Sequence, residues 1–302
     1  MPDTRKGVIF GAAAYALWGL FPLYWPLLKP SSAVEILAHR MVWSLAAVVV
    51  ILTVARNWSW LRTITGRQVG LLALAAVTVT ANWGVYIYAV NAGHVVESSL
   101  GYFINPLVNV LFGVVLFRER LRPWQWVAVG LGGVAVVVLT VDYGRLPWIA
   151  LTLAASFGLY GLVKKIAAVG AAQSLAVETL VVFAPALGYL IVLDARGGAT
   201  FADHGAWHTA LLIGSGVITA VPLLLFAASV SRVPLSVVGM LQYIAPVLQF
   251  LVGVLVAHET MPPSRWAGFA VVWLALMVFT WDGLRHARAS RRMAEAAQAV
   301  PA

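Results

Sequence analysis

The chain has 302 residues, of which 62% are hydrophobic and only 10% charged, with a formal net charge of +9. A soluble globular domain carries about 25% charged residues, so this composition, with a mean hydropathy of +0.90, excludes that class and specifies an integral membrane protein. There are no cysteines, which excludes disulfides, thiolate nucleophiles and cysteine-ligated zinc or iron–sulfur centres.

In chain order, Arg5 and Lys6 precede an apolar run from Gly7 to Leu28, long enough to cross a hydrocarbon layer of about 30 Å. Its length, Pro22 and Pro26, and the lack of a small-residue cleavage site before Lys29 make it a retained first helix rather than a signal peptide. Further apolar runs cover residues 34–55, 69–91, 98–117, 123–141, 146–163, 173–193, 207–230, 235–257 and 264–281, which predicts ten membrane-spanning helices and no other fold class.

Charge orients the bundle. With the amino terminus on the cytoplasmic side, fifteen of the 20 Lys and Arg residues fall inside, four outside (Lys29, Arg145, Arg196 and Arg265), and Arg40 within a span. That bias places both termini inside. Because the basic residues serve short loops, the net charge does not point to a nucleic-acid partner. The stretch after Asp282 is basic and Ala-rich and reads as a solvated or membrane-surface helix.

The chain repeats itself. A shift of 140 residues places Pro106 on Pro246, Gly113 on Gly253, Glu119 on Glu259, Pro123 on Pro263, Trp126 on Trp266 and Asp142 on Asp282. Two halves of five spans follow, and since five is odd the second half must enter the membrane from the opposite side. The expected fold is all-α, ten transmembrane helices as two inverted five-helix repeats, an architecture suited to opening a central site alternately to either side.

Ionisable residues within spans are the next signal. Glu35, His39 and Arg40 sit in the second span, where a charge must have a partner or a use. Glu35 and His39 share a helical face, with Arg40 about 100° further round. Glu178 occupies the related place in the second half. All four are candidates for charge pairing or coupling. Carboxyl and imidazole groups inside a membrane can carry protons, so protons are the candidate coupling ion. The structural alternative is that Glu35 simply pairs with Arg40 or His39.

Pro106 and Pro246, early in the fourth and ninth spans, are expected to break or kink their helices. Beside them run polar stripes: Tyr102, Asn105 and Asn109 in one half, Gln242 and Gln249 in the other. With Asn82, Trp83 and Tyr86 of the third span and Tyr243 beside Gln242, they are candidates to line a solute path. The bland alternative is helix-to-helix adhesion, worth about 0.6 kcal/mol per contact in a membrane. His94 and Glu97 are expected to be solvated, and Glu119 and Glu259 to form loop salt bridges. The spacings of Gly7 with Gly11 and Gly66 with Gly70 are compatible with a homodimer but too common in membrane chains to support one.

The run Gly7 to Gly11 through Trp18-Gly-Leu-Phe-Pro-Leu-Tyr-Trp25, followed by Glu35-Ile-Leu-Ala-His-Arg40, resembles the drug/metabolite transporter superfamily, and within it the EamA family and its RarD-like permeases. The resemblance implies EamA repeats over residues 7–141 and 145–281, with a basic cytoplasmic tail over 283–302. It also implies a multi-pass protein of the bacterial inner (plasma) membrane that exports or exchanges small organic solutes. Chloramphenicol-like drugs enter through the subgroup's name alone. Amino-acid-like metabolites fit the polar and aromatic residues equally well.

The expected function is a secondary, non-ATP carrier in the lipid bilayer that exports small organic solutes by alternating access, with no catalytic residue, metal or cofactor. The chain has no G-x-x-x-x-G-K-[ST], H-E-x-x-H or G-x-S-x-G. The competing reading is a membrane-embedded enzyme acting on a lipid-linked substrate.

Overall fold

The structure is a computed structural model and describes residues 2–118, 120–230 and 232–298. Its regular elements are α1 (Pro2–Tyr24), α2 (Ala33–Val54), α3 (Gly66–Asn91), α4 (Val95–Phe117), α5 (Pro123–Tyr143), α6 (Trp148–Ala167), α7 (Ala171–Ala195), α8 (Gly205–Val230), α9 (Leu235–Leu241), α10 (Ile244–Leu251) and α11 (Pro263–Gln298). Short 3-10 turns at Trp25–Leu28 and Ser59–Arg62 and a π turn at Val252–Val256 complete them. Among the described residues, ten helical segments are long and apolar enough to cross a membrane. The protein is an all-helical, multi-pass membrane protein.

Local sequence sets where the helices begin. Ser32 caps α2, its hydroxyl accepting from the Glu35 amide at 3.2 Å, and Thr65 with Gln68 forms a capping box on α3. Pro123 sits in the first turn of α5, where a missing N–H costs nothing. Gly144, in the left-handed region at φ 64°, ends that helix. The sixth helix runs to Ala167 rather than ending at residue 163, so Lys164 lies within it. The last helix continues past its apolar part, which ends at His286, as far as Gln298. Residues 299–302 of the expected tail lie outside the described residues.

The chain forms two compact units. The first comprises residues 1–102 and 149–259, the second residues 103–148 and 260–302. In the second unit α5 and α11 run antiparallel. Arg122, just before α5, pairs with Asp282 late in α11 at 2.6 Å, while Asp142 at the far end of α5 pairs with Arg265 in the first turn of α11 at 2.8 Å. The two aspartates are those related by the 140-residue shift. Gly268 makes the close approach possible, since a Cβ there would lie 2.5 Å from Leu139 Cδ2.

In the first unit α2 packs between α7 and α8, and α1 lies along α8, α9 and α10. The tightest approach is at Gly216 of α8, where a Cβ would fall 2.3 Å from the backbone carbonyl of Trp43. A core of Phe21, Trp25, Leu28, Ile36, Tyr86, Ile87, Leu153 and Leu212 ties α1, α2, α3, α6 and α8 together.

Two carboxylates behave differently from expectation. Glu97 is buried, not solvated, and accepts the Ile149 amide at 3.2 Å near the start of α6. Glu259 reaches beyond the turn residues beside it. It accepts the amides of Val95 and Val96, at 2.5 and 3.0 Å, in the first turn of α4. Helix N-termini carry unpaired amides and partial positive charge, which a buried carboxylate satisfies. Glu119, the counterpart of Glu259, lies outside the described residues.

The two prolines also diverge. The helix α4 is continuous through Pro106, so the expected break is absent from the fourth span. In the ninth span regular hydrogen bonding lapses at Gln242 and Tyr243, between α9 and α10, where the backbone keeps right-handed helical angles. Pro246 has no N–H to give the Gln242 carbonyl, and its ring crowds that carbonyl. In the fourth span a full helix on each side of Pro106 absorbs the same defect, whereas α9 has only seven residues.

Candidate functional site

The site is built around Arg40. It is 2% exposed in the middle of α2, and its guanidinium carbon lies 3.8 Å from the centroid of a Trp83 ring, 5.1 Å from Trp25 and 5.6 Å from Phe21. Its Nε donates to Thr219 Oγ1 of α8 at 2.8 Å, and that hydroxyl donates onward to the Ser215 carbonyl at 2.9 Å. Nη1 is buried and unpartnered, and among the described residues no carboxylate pairs with this arginine. Aromatic faces offer a desolvated cation about 2 kcal/mol or more each at best, well below what a lost hydration shell is worth.

Glu35 does not pair with Arg40 or His39, as the structural alternative had it. Its Oε1 accepts from the amide and hydroxyl of Thr200, at 2.7 and 2.9 Å, in the loop before α8. Thr200 contacts Ser31, whose hydroxyl is also 3.1 Å from His208 Nε2, and the same nitrogen is 3.0 Å from the Leu28 carbonyl. This buried chain joins the α1–α2 and α7–α8 connections. His39 stacks on Phe201 with centroids 4.9 Å apart, and neither ring nitrogen has a partner.

Glu178 belongs to a separate cluster. It accepts from Lys164 at 2.9 Å, Ser174 at 2.6 Å and Tyr160 at 3.2 Å, and Lys164 also donates to Ser174. Glu178 and Trp83 line one narrow gap with Met41, Thr80 and Thr179.

Of the expected solute contacts, the structure gathers Trp83, Tyr86 and Tyr102 around Arg40, the two tyrosines being in electrostatic range of its guanidinium. The Tyr86 and Tyr102 rings meet edge to face at 5.7 Å, and the Tyr86 hydroxyl is buried without a partner. Asn82 is fully buried and engaged: its amide nitrogen donates to the Leu153 carbonyl and Ser156 Oγ, both at 3.0 Å, and its oxygen accepts from Tyr102 at 3.1 Å. Gln242 and Tyr243 form the break in the ninth span. Asn105 belongs to the second unit, where it accepts from Asn109 at 3.0 Å.

Sequence reasoning missed Phe21, Trp25, Thr219, Thr200 and Lys164. A lysine inside an apolar run was a usable signal for Lys164. Nothing local marks Thr200 or Thr219, which matter only because folding brings them to Glu35 and Arg40.

Comparison with known proteins adds a separate line. The profile of the EamA-like transporter family matches residues 5–141 and again 146–281. A protein named RarD from Streptomyces exfoliatus is 58% identical over 98% of this chain and 94% of its own length. The uncharacterized transporter YojE of Bacillus subtilis is 44% identical over 96% and 98%. A Pseudomonas aeruginosa protein named chloramphenicol-sensitive protein RarD is 33% identical over 97% and 99%. A crystal structure 20% identical to this chain, covering 93% of it and 98% of its own chain, superposes with a TM-score of 0.61 and has the same fold.

Proposed function

This chain belongs to the EamA-like transporter family, and from that premise we propose that it is a secondary carrier, an outward-working permease for small organic solutes in a bacterial inner membrane. The observation that carries the reading is the interrupted ninth span. Pro246 leaves the Gln242 carbonyl without its helical donor, and inside a bilayer such a carbonyl is satisfied by protein groups or in a wet cavity, a device that carriers use at their solute sites. Gln242 and Tyr243 sit at that break. The helix α10 beyond it packs on α1 at Gly19, whose Cβ would lie 2.7 Å from Leu248 Cβ, and α1 with the turn that follows it carries Phe21 and Trp25 to Arg40.

In this reading the solute path runs past Trp83, Tyr86, Tyr102, Gln242 and Tyr243, with Asn82 positioning Tyr102. The antiparallel pairing of α5 with α11, helices related by the sequence repeat, supports two inverted halves over residues 7–141 and 145–281 exchanging roles in alternating access. Both termini are cytoplasmic in this reading. Protons couple through Glu35 or Glu178, the carboxylates buried within the bundle beside hydroxyl groups.

The test is counterflow in proteoliposomes, with chloramphenicol and amino acids as probes, with and without a pH gradient. Saturable uptake that exceeds protein-free vesicles is expected. Absence of counterflow for every probe, from protein shown to be folded, overturns the carrier reading. Glu35→Gln and Glu178→Gln with an unchanged response to the gradient removes proton coupling.

A further inference from the structure

We infer that Arg40 is the anchoring cation of a solute site for small organic anions, which bind through a carboxylate with an apolar or aromatic body beside it. The inference rests on the carrier reading and deepens it by naming the class of solute.

Donors outnumber acceptors around Arg40. The guanidinium has donors only, and Nη1 has no partner; the Trp25 indole Nε1, a donor only, is also buried without one, as is the Tyr86 hydroxyl. The Trp25 ring lies 5.1 Å from the Arg40 guanidinium, and Tyr86 packs in the same buried cluster as Trp25 and Phe21. Among the described residues, the one acceptor supplied to the guanidinium is the oxygen of Thr219. A buried cluster rich in unmatched donors and poor in acceptors is satisfied by a group that only accepts, and a carboxylate is that group.

The glutamates described in the first unit are committed elsewhere. Glu35 is held by Thr200, Glu178 by Lys164 and Ser174, Glu97 accepts the Ile149 amide, and Glu259 accepts amides at the start of α4. A buried cation without a counter-ion is strongly unfavourable in a bilayer, and a chain that needed Arg40 only for packing would do as well with Met or Leu. The faces of Phe21, Trp25 and Trp83 hold the guanidinium in one place and supply an apolar wall. A neutral amide offers one acceptor oxygen and no charge, and so leaves the guanidinium without a counter-ion.

The test compares matched probes that differ only in charge: phenylacetate with phenylacetamide, and N-acetylphenylalanine with its amide. Binding is measured by thermal stabilisation and tryptophan fluorescence on folded protein in nanodiscs, for the natural protein, Arg40→Lys and Arg40→Met. At least one carboxylate should bind about tenfold or more tighter than its amide, the scale of a charge-assisted hydrogen bond. Arg40→Lys should keep that preference with about tenfold weaker binding, because lysine lacks the planar fork, and Arg40→Met should lose it.

Equal binding of acid and amide, a preference that survives in Arg40→Met, or no carboxylate binding to the folded natural protein overturns the inference. Counterflow separates the two readings. Saturable chloramphenicol counterflow without carboxylate binding keeps the carrier and sinks the anion site. Arg40-dependent carboxylate binding without any counterflow keeps the anion site and sinks the carrier.

Discussion

The guanidinium of Arg40 lies 3.8 Å from the ring centroid of Trp83, closer than any other cation in the described structure comes to an aromatic face. A charge fully removed from water and facing no carboxylate depends on that ring. The expected coupling is about 1–2 kcal/mol, read from a double-mutant cycle of Trp83→Leu and Arg40→Met by thermal unfolding. Trp83→Leu should destabilise the natural protein by more than it destabilises Arg40→Met. Equal losses in both backgrounds would show that Trp83 contributes packing alone.

Gly216 sets how closely α8 approaches α2, and through that the reach of Thr219 to Arg40. Gly216→Ala places a methyl 2.3 Å from a backbone carbonyl that cannot turn aside, at a cost of about 3 kcal/mol or more. Gly188→Ala in α7, where a Cβ meets nothing within 4 Å, serves as control and should be neutral or slightly stabilising. Melting temperatures and yields of folded protein distinguish them.

Because the chain has no cysteine, introduced pairs report geometry without background. Cysteines at positions 122 and 282 should cross-link, as should a pair at 142 and 265. A pair at 122 and 265 should not. Cross-linking of that third pair would contradict the antiparallel arrangement of α5 and α11.

Pro246→Ala restores an N–H to the Gln242 carbonyl and removes the clash that separates α9 from α10. It should raise thermal stability while slowing counterflow. Pro106→Ala should change transport less, since α4 is already continuous. Faster transport in Pro246→Ala would remove the break from the mechanism.

Glu35→Gln keeps an oxygen for the Thr200 amide and should fold normally. Glu178→Gln leaves Lys164 without its counter-charge and should be the more destabilising of the two, since removing one partner strands the other. The difference is measured as the loss in melting temperature.

The ten spans, their approximate ends and the repeat were legible in the residues because each depends on local properties: apolar length, basic loops and a recurring Pro, Gly, Trp and Asp pattern. Arg40, Glu35 and Glu178 stood out for the same reason, as charges where lipid-soluble residues surround them. What those charges touch was not legible. The pairing of Glu35 with Thr200 spans 165 residues and that of Arg40 with Thr219 spans 179, and no local pattern encodes which threonine arrives.

The two prolines draw the same line. Each lacks an N–H by its chemistry, which the sequence alone states. Whether a helix breaks there depends on how much regular helix and neighbouring packing lies on either side, and only the tertiary structure decided that Pro246 interrupts its span while Pro106 does not. Glu97 and Glu259 complete the contrast: composition made them loop carboxylates, and the approach of α6 and α4 made them helix caps. Long-range contacts choose partners among chemically similar groups, and that choice is a property of the packed chain.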